Sequence, residues 1–290
     1  MDIYTFEWGK HRLIFGKQTL IMGVLNVTPD SFSDGGKFYA FDEAVAQGER
    51  LSAEGADILD IGGESTRPFS EPVSAEDEIR RVVPVIEKLV ARTTIPISID
   101  TTKALVAQRA LEAGASMIND VSALRLDPGM ADLAAAYGVP VILMHMLGTP
   151  KTMQVEPFYD DIIAELRAFF EKVIAHAEKK GILKSKIIID PGIGFGKTVK
   201  HNLTLIRRLN EFRGLNVPIL IGPSRKAFIR KILKEETQKD IQPDLPLVEI
   251  GTQAAVAASI LNGAHMVRVH NVAETQATVK IIDAVKCVSN

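Results

Sequence analysis

The stretch LIMGVLNVTPDSFSDGG, Leu20 to Gly36, decides how the chain is built. Its first six residues, Leu20 to Leu25, form a short apolar run with the length and composition of a strand buried on both faces. The rest is polar and rich in turn formers, with Asn26, Thr28, Pro29, Asp30, Ser31, Ser33, Asp34, Gly35 and Gly36. Turn residues end strands, so the chain leaves the core at Asn26 and enters an exposed, mobile loop. One such junction is ordinary. The same design, however, recurs down the chain.

Seven more β-rich apolar runs follow, at 57–61, 95–99, 116–118, 139–144, 187–189, 217–221 and 265–269. Helical patterns lie between most of them, at 41–54, 75–91, 103–113, 128–137, 158–180, 202–211, 225–236 and 249–261. A Ser74-Ala-Glu-Asp77 capping box opens the second, and Asn271-Val-Ala-Glu274 opens a last helix. Gly55, Gly114, Gly138, Gly181 and Gly263 stand where a left-handed cap would end a helix. Eight strands alternating with eight helices predict an α/β (β/α)₈ TIM barrel in one domain, residues 1–290. Ahead of it, residues 1–16 predict a β-hairpin that plugs one end of the core. A doubly wound open sheet is the alternative. It would show fewer strands and a glycine-rich phosphate loop after the first, where this chain has NVTPDSF.

Composition limits the function. The chain has 290 residues, 46% of them hydrophobic and 24% charged, with a formal net charge of −2. This is the profile of an ordinary soluble globular protein with no global basic field for nucleic acid or an anionic membrane. The single cysteine excludes an internal disulfide and a multi-cysteine metal site. The N-terminus has no apolar core of signal length and no run approaches a membrane span, so a cytoplasmic location is the expectation.

In a (β/α)₈ barrel the active site forms at the C-terminal strand ends. Those positions carry Asn26, then Glu64-Ser-Thr66-Arg67, Asp100, Asn119-Asp120, His145, Asp190, Ser224-Arg225-Lys226 and Arg268-Val-His270. Any one of them could cap a loop; the set is too polar for capping alone. It also sorts by charge. Asp100, Asn119 and Asp190, facing Lys226, suit a neutral heterocycle rich in N–H donors. Arg67, Arg225, Arg268 and His270 form an opposite, cationic group. Arg268 and His270 share one strand face and lead into the helix at Asn271, so they predict a phosphate or diphosphate site. A salt bridge is the plainer account of Arg67 and Arg225. The PGIGFGKT run at 191–198 fails as a Walker A loop and as a dinucleotide fingerprint, and is read as a loop that lets backbone and Phe195 approach a flat ligand. His145 and His270 are too isolated for a zinc site. Met22, Met144 and Met146 read as core filling, with Met144 able to reach the pocket floor.

With these residues in place, the chain resembles the dihydropteroate synthases. The resemblance runs from about Leu20 to the last helix and rests on GVLNVTPDSFSDGG, ADILDIGGESTRP, ISIDT, INDVSA, IIIDPGIGFGK, IGPSRKAFI and MVRVHNV, in the family's order. It implies a homodimeric (β/α)₈ barrel that joins 4-aminobenzoate to 6-hydroxymethyl-7,8-dihydropterin diphosphate, with diphosphate leaving before the amine attacks. It also implies the site residues. Asp100, Asn119, Asp190 and Lys226 would hold the pterin, walled by Val121, Met144, Phe195 and Gly222. Asn26 would ligate Mg²⁺. Asn26, Thr66, Arg67, Arg268 and His270 would bind the diphosphate. Phe32, Thr66, Pro68, Phe69 and Ser224 would form the aminobenzoate pocket, and Asp34 would stabilise the developing positive charge. Asp34, Lys226 and Asp100 would thus carry the catalysis. Loops 28–36 and 65–73 would close over the site.

One position departs from the family: Phe69 stands where a small glycine is common after the TRP of the second loop. It implies altered affinity for aminobenzoate or for the sulfonamides that compete with it. The rival readings are a pterin-binding domain of the methyltetrahydrofolate-corrinoid type and a non-catalytic paralogue. The first has no use for the Asn26, Ser-Arg-Lys and Arg-Val-His features, and the second would have lost Asp34, Lys226 or Arg268. A metal-dependent hydrolase lacks its ligand clusters.

Overall fold

Two antiparallel strands, β1 (Tyr4–Trp8) and β2 (His11–Phe15), form the predicted hairpin, turning at Gly9 with φ +51°. The computed structural model describes residues 2–27, 37–65, 70–149, 151–237 and 239–288, with backbone alone at 37–40. The hairpin buries Phe6, Trp8, Leu13 and Phe15, the Phe6 and Phe15 rings meeting edge to face at 4.9 Å. Trp8 Nε1 donates to the Ser116 carbonyl at 2.7 Å, and the Tyr4 ring packs on His265. Both partners precede strands, so the hairpin closes the N-terminal mouth of the barrel, as its sequence predicts.

Eight parallel strands follow: β3 (Leu20–Asn26), β4 (Ile58–Gly62), β5 (Ile97–Asp100), β6 (Met117–Asp120), β7 (Val141–Met144), β8 (Ile187–Asp190), β9 (Leu220–Ile221) and β10 (Met266–Val269). They pair in the order β8-β7-β6-β5-β4-β3-β10-β9, and a bridge between Ile189 and Ile219 brings the two ends together into a barrel. Around them run α1 (Lys37–Ala53), α2 (Ala75–Val90), α3 (Ala104–Glu112), α4 (Met130–Tyr137), α5 (Ile162–Lys179), α6 (Val199–Arg207), α7 (Ala227–Leu233), α8 (Pro246–Leu261) and α9 (Val272–Cys287). Every residue of β4, β6, β7 and β8 is buried, so their apolar residues do not alternate with exposed ones, and their few polar groups lie toward the C-terminal ends.

Local chemistry sets the element ends. Ser74 Oγ accepts from the Asp77 amide at the start of α2, and Asn271 Oδ1 from the Glu274 amide at the start of α9. The box with both halves made is Thr198–His201 at α6, unmarked in the sequence because histidine rather than glutamate returns the second bond. All five predicted glycine stops have positive φ, from +63° at Gly138 to +110° at Gly263. Several boundaries shift by two to four residues, as at α5, α7 and α8, and two shifts have a clear local cause. The seventh strand is short because Pro218, which lacks an N–H, can only accept a ladder bond, from Ile189. The sixth helix begins earlier, at Val199, and stops at Arg207; a 3₁₀ segment, Leu209–Leu215, then completes the span and ends at Asn216 with φ +55°.

Candidate active site

At the C-terminal end of the barrel, a chain of charge crosses from β10 to β5. Arg268 donates from Nε to Asp60 Oδ2 at 2.6 Å and from an Nη to Asp100 Oδ2 at 2.7 Å. Asn119 Nδ2 donates to the same Asp60 oxygen at 2.9 Å. The second oxygens of Asp60 and Asp100 are buried and receive no hydrogen bond from the described residues. Buried acceptors of this kind call for donors, so the floor of the site is built for a group that brings N–H bonds. Burial raises the Asp100 pKa, against the pull of Arg268 beside it.

Asp190 completes the acceptor set at the end of β8. Its Oδ1 accepts from the Gly192 amide at 2.7 Å, and burial pushes its carboxyl up to about 6. Lys226 lies over the Phe195 ring, Nζ 4.0 Å from the centroid, and its field lowers the pKa of both Asp190 and Asp100. Gly194 lies against its stem: a Cβ there would stand 3.1 Å from Lys226 Cδ. Phe195 joins Val121, Met144, Met146 and Met153 in an apolar cluster separate from the main core. Gly222, just after β9, has among the described residues only the Arg268 Cβ and carbonyl within reach of a Cβ, at 3.7 and 3.9 Å. The predicted pterin-binding side chains therefore cluster on the C-terminal end, acceptors below and a sulfur-rich, aromatic wall beside them. A cavity of about 290 Å³ reaches from Asp100 and Val121 to Ser65, Ser70 and Lys103.

The cationic group divides differently from the sequence expectation. Asn26, Arg225, His270 and Asn271 line a second cavity, of about 510 Å³, together with Gln47 and Arg50 of α1 and Glu54 just after it. Arg268 does not stand with them. It shares a strand face with His270, but its longer side chain reaches across the barrel to the two carboxylates, where the attraction is strongest in low dielectric. Ser224 Oγ lies 2.9 Å from His270 Nδ1. Between Ser224 and Lys226, Arg225 adopts a left-handed backbone (φ +59°), held by its amide donating to Thr252 Oγ1 and its carbonyl accepting from Arg230. Its guanidinium stands 3.7 Å from Glu249, so the salt-bridge account of Arg225 holds beside its place in the cavity.

Sequence reasoning missed Asp60 as a site residue. The signal was a carboxylate inside the apolar run Ile58-Leu-Asp-Ile-Gly62, at a position two before the strand end. Asp120, by contrast, is a turn residue: it accepts from the Ser122 hydroxyl and from the amides of Ser122 and Leu124. His145 turns away from the rim and is buried beside Lys197. Phe32, Asp34, Thr66, Arg67, Pro68 and Phe69 lie outside the described residues.

The comparisons with known proteins fall on this same framework. The model of the pterin binding enzyme family matches residues 22–270. The chain is 46% identical over 279 residues to the dihydropteroate synthase of Synechocystis sp., covering 96% of this chain and 92% of the relative. The chain belongs to the dihydropteroate synthase family of pterin-binding enzymes. The solved Xanthomonas albilineans dihydropteroate synthase with 4-aminobenzoic acid superposes with a TM-score of 0.88 at 46% identity, covering 96% of both chains. The structure of that species' enzyme with 7,8-dihydropteroate superposes at 0.84, with 44% identity over 95% of this chain and 97% of the other. Dihydropteroate synthases are transferases, and this chain shares the fold of that solved member.

Proposed function

We infer that this chain condenses 4-aminobenzoate with (7,8-dihydropterin-6-yl)methyl diphosphate, giving 7,8-dihydropteroate and diphosphate, by a dissociative displacement. The observation that carries this is the pair of unsatisfied buried carboxylate oxygens of Asp60 and Asp100, in the same site as Asp190, Asn119 and Lys226. A pterin edge supplies the donors they need, and Lys226 supplies one in return. Val121, Met144, Phe195 and Gly222 wall the ring. His270 and Asn26, with Thr66 and Arg67, take the diphosphate, while Arg268 fixes the carboxylates of Asp60 and Asp100 beneath the pterin; Phe32, Thr66, Pro68, Phe69 and Ser224 take the aminobenzoate.

In the reaction the C–O bond breaks with its electron pair leaving on diphosphate. Cations favour that departure, while carboxylates, Asp34 among them, favour the electron-poor pterin methylene left behind. The amine nitrogen then bonds to that carbon and loses a proton. No side chain acts as a nucleophile.

Among the described residues no cluster of three His, Cys, Asp or Glu side chains could hold a resident metal. Asn26, whose amide lines the cavity with Arg225 and His270, would be the residue that holds a Mg²⁺ accompanying the diphosphate. Such an ion supplies neutralisation of the leaving group.

Purified protein supplied with the pterin diphosphate, Mg²⁺ and 4-aminobenzoate tests the reading, with the amine omitted as control. Amine-dependent diphosphate release with formation of dihydropteroate is the expected result. Tight pterin binding without release would instead favour a non-catalytic paralogue. Asp190 gives a pH prediction. Its raised folded-state pKa means that its proton is held below about pH 6 and is lost as pH rises through that value, when the carboxylate becomes an acceptor. Affinity for 6-hydroxymethylpterin, read by fluorescence titration, is expected to rise several-fold between about pH 5 and pH 7. Asp190→Asn should flatten the profile; a flat wild-type profile would contradict the role. At the second loop, Phe69→Gly is expected to shift the aminobenzoate KM and the sulfonamide Ki by about threefold or more with the pterin KM unchanged, the shift one bulky contact gives.

The assembly follows the family as a homodimer. Apolar side chains exposed on α8, namely Leu247, Ile250 and Leu261, support this reading, which sedimentation would check. Among the described residues no helix is long and apolar enough to cross a membrane, which accords with the cytoplasmic location we propose.

A further inference from the structure

Lys197 ends the glycine-rich loop after β8, at the base of α6. Its side chain is buried, with only 4% of the residue exposed, yet it makes no ion pair among the described residues. A lysine almost never occupies such a position unless paired. Its Nζ donates to the Phe195 carbonyl at 2.9 Å and lies 3.1 Å from His145 Nδ1 and 3.4 Å from the His145 carbonyl. All three partners are neutral or backbone groups, and burial pushes the amine down to about 7, partly offset by the attraction of Asp190.

The two segments it joins follow β7 and β8 and touch along their backbones. Gly192 (φ +71°) would place a Cβ 2.0 Å from the His145 carbonyl oxygen, and Gly196 (φ +69°) would place one 2.5 Å from Leu147 Cβ. Beyond this seam, on the site side, stand Met144 and Met146 from the first segment and Phe195 from the second, all in one apolar cluster. The Phe195 ring carries Lys226 on its face. Behind the seam, His145 packs edge-on against Phe169 at 4.8 Å, and Arg125 donates to the Met146 carbonyl. The amine thus sits one layer behind the wall and bonds to both of its halves.

We propose that Lys197 is a positioning residue for the pterin, fastening the Phe195 carbonyl to His145 so that the Phe195 ring and Lys226 are set at the spacing a flat heterocycle requires. This rests on the pterin reading given above. A single amine reaching both segments controls the width of the slot, whereas a purely structural tie would affect stability alone.

Lys197→Met keeps the stem and removes the donors. The expected result is a rise of about tenfold in the KM for pterin diphosphate and in the Kd for 6-hydroxymethylpterin, with the aminobenzoate KM within about twofold of wild type; losing one hydrogen bond to a charged group is of this size. Tyr159→Phe is the control, since it removes another tie to the same loop, the Tyr159 hydroxyl to the Gly196 carbonyl at 3.0 Å. It should lower the melting temperature without splitting the two KM values. If Lys197→Met fails to fold, His145→Leu interrupts the same link from the other side and should give the same split. Wild-type protein that neither binds the pterin nor turns over would remove the parent reading. Wild-type binding matched by both variants, or a loss of stability with unchanged KM values, would overturn the positioning role itself.

Discussion

Arg268→Met is expected to lower the melting temperature by on the order of 10 °C near pH 8 and to reduce turnover by at least about a thousandfold. The guanidinium bridges two carboxylates, one of them, Asp60, with no exposed side-chain surface. Removing one partner of a buried ionic cluster leaves the others uncompensated and costs about 3–5 kcal/mol, and in a chain of this size each kcal/mol moves the midpoint by about 2–4 °C. The loss should depend on pH in a definite direction. Without the arginine, the Asp100 pKa, already raised by burial, rises further. A carboxyl raised in the folded state contributes stability below its unfolded pKa, and that contribution is lost as pH rises through the folded value. The variant should therefore recover much of its deficit near pH 5, where the carboxyl takes up a proton. Thermal unfolding across pH measures this directly, and an unchanged midpoint near pH 8 would show that the bridge carries little energy. Turnover falls for a second reason: the freed carboxylates repel each other, so the acceptors that meet the pterin edge lose their fixed geometry.

Lys226→Met should separate function from stability. Its amine stands over Phe195 and within the fields of Asp100 and Asp190, while its stem runs along Gly194. Methionine keeps the stem contact and the packing on the ring, so a midpoint within about 2 °C of wild type is expected from a half-buried position. Turnover should fall by about 10²–10³, the loss typical of removing one oriented donor from a site of this kind. Steady-state kinetics on the folded variant decides it; near-normal kcat/KM would move the donor role elsewhere.

What the sequence disclosed, and what it hid, follows from physics. Runs such as Ile187-Ile-Ile189 have one plausible fate in a chain that alternates them with amphipathic segments, and positions just past such runs face the barrel mouth by topology alone. The place of Asp100, Asn119, Asp190 and Lys226 at the barrel mouth is therefore legible in the sequence. Asp60 was not, because a strand-end rule cannot see a carboxylate two residues inside the barrel. Its partner Arg268 lies 208 residues away. The direction of Arg268 was hidden for the same reason, since a strand face fixes where a side chain starts and not where a long one ends. In the sequence Lys197 stands only as part of a failed phosphate motif. Only the fold brings it to His145, 52 residues earlier.

The barrel's closure gives the site an uneven mechanical footing. Between β8 and β9 the sheet is joined by one bridge and a two-residue strand, while the opposite side is held by ladders of four and five residue pairs. Asp190 at the end of β8 and the loop from it to Lys197 stand on one side, and Gly222 to Lys226 after β9 on the other. The protein's thinnest stitching thus runs beneath its most crowded chemistry. A heterocycle bonded to both lips would act as the missing rung. Amides along 217–221 should then exchange with deuterium sooner than those of β4 in the free protein and slow the most when a pterin is added, so that the ligand completes the closure that the backbone leaves thin.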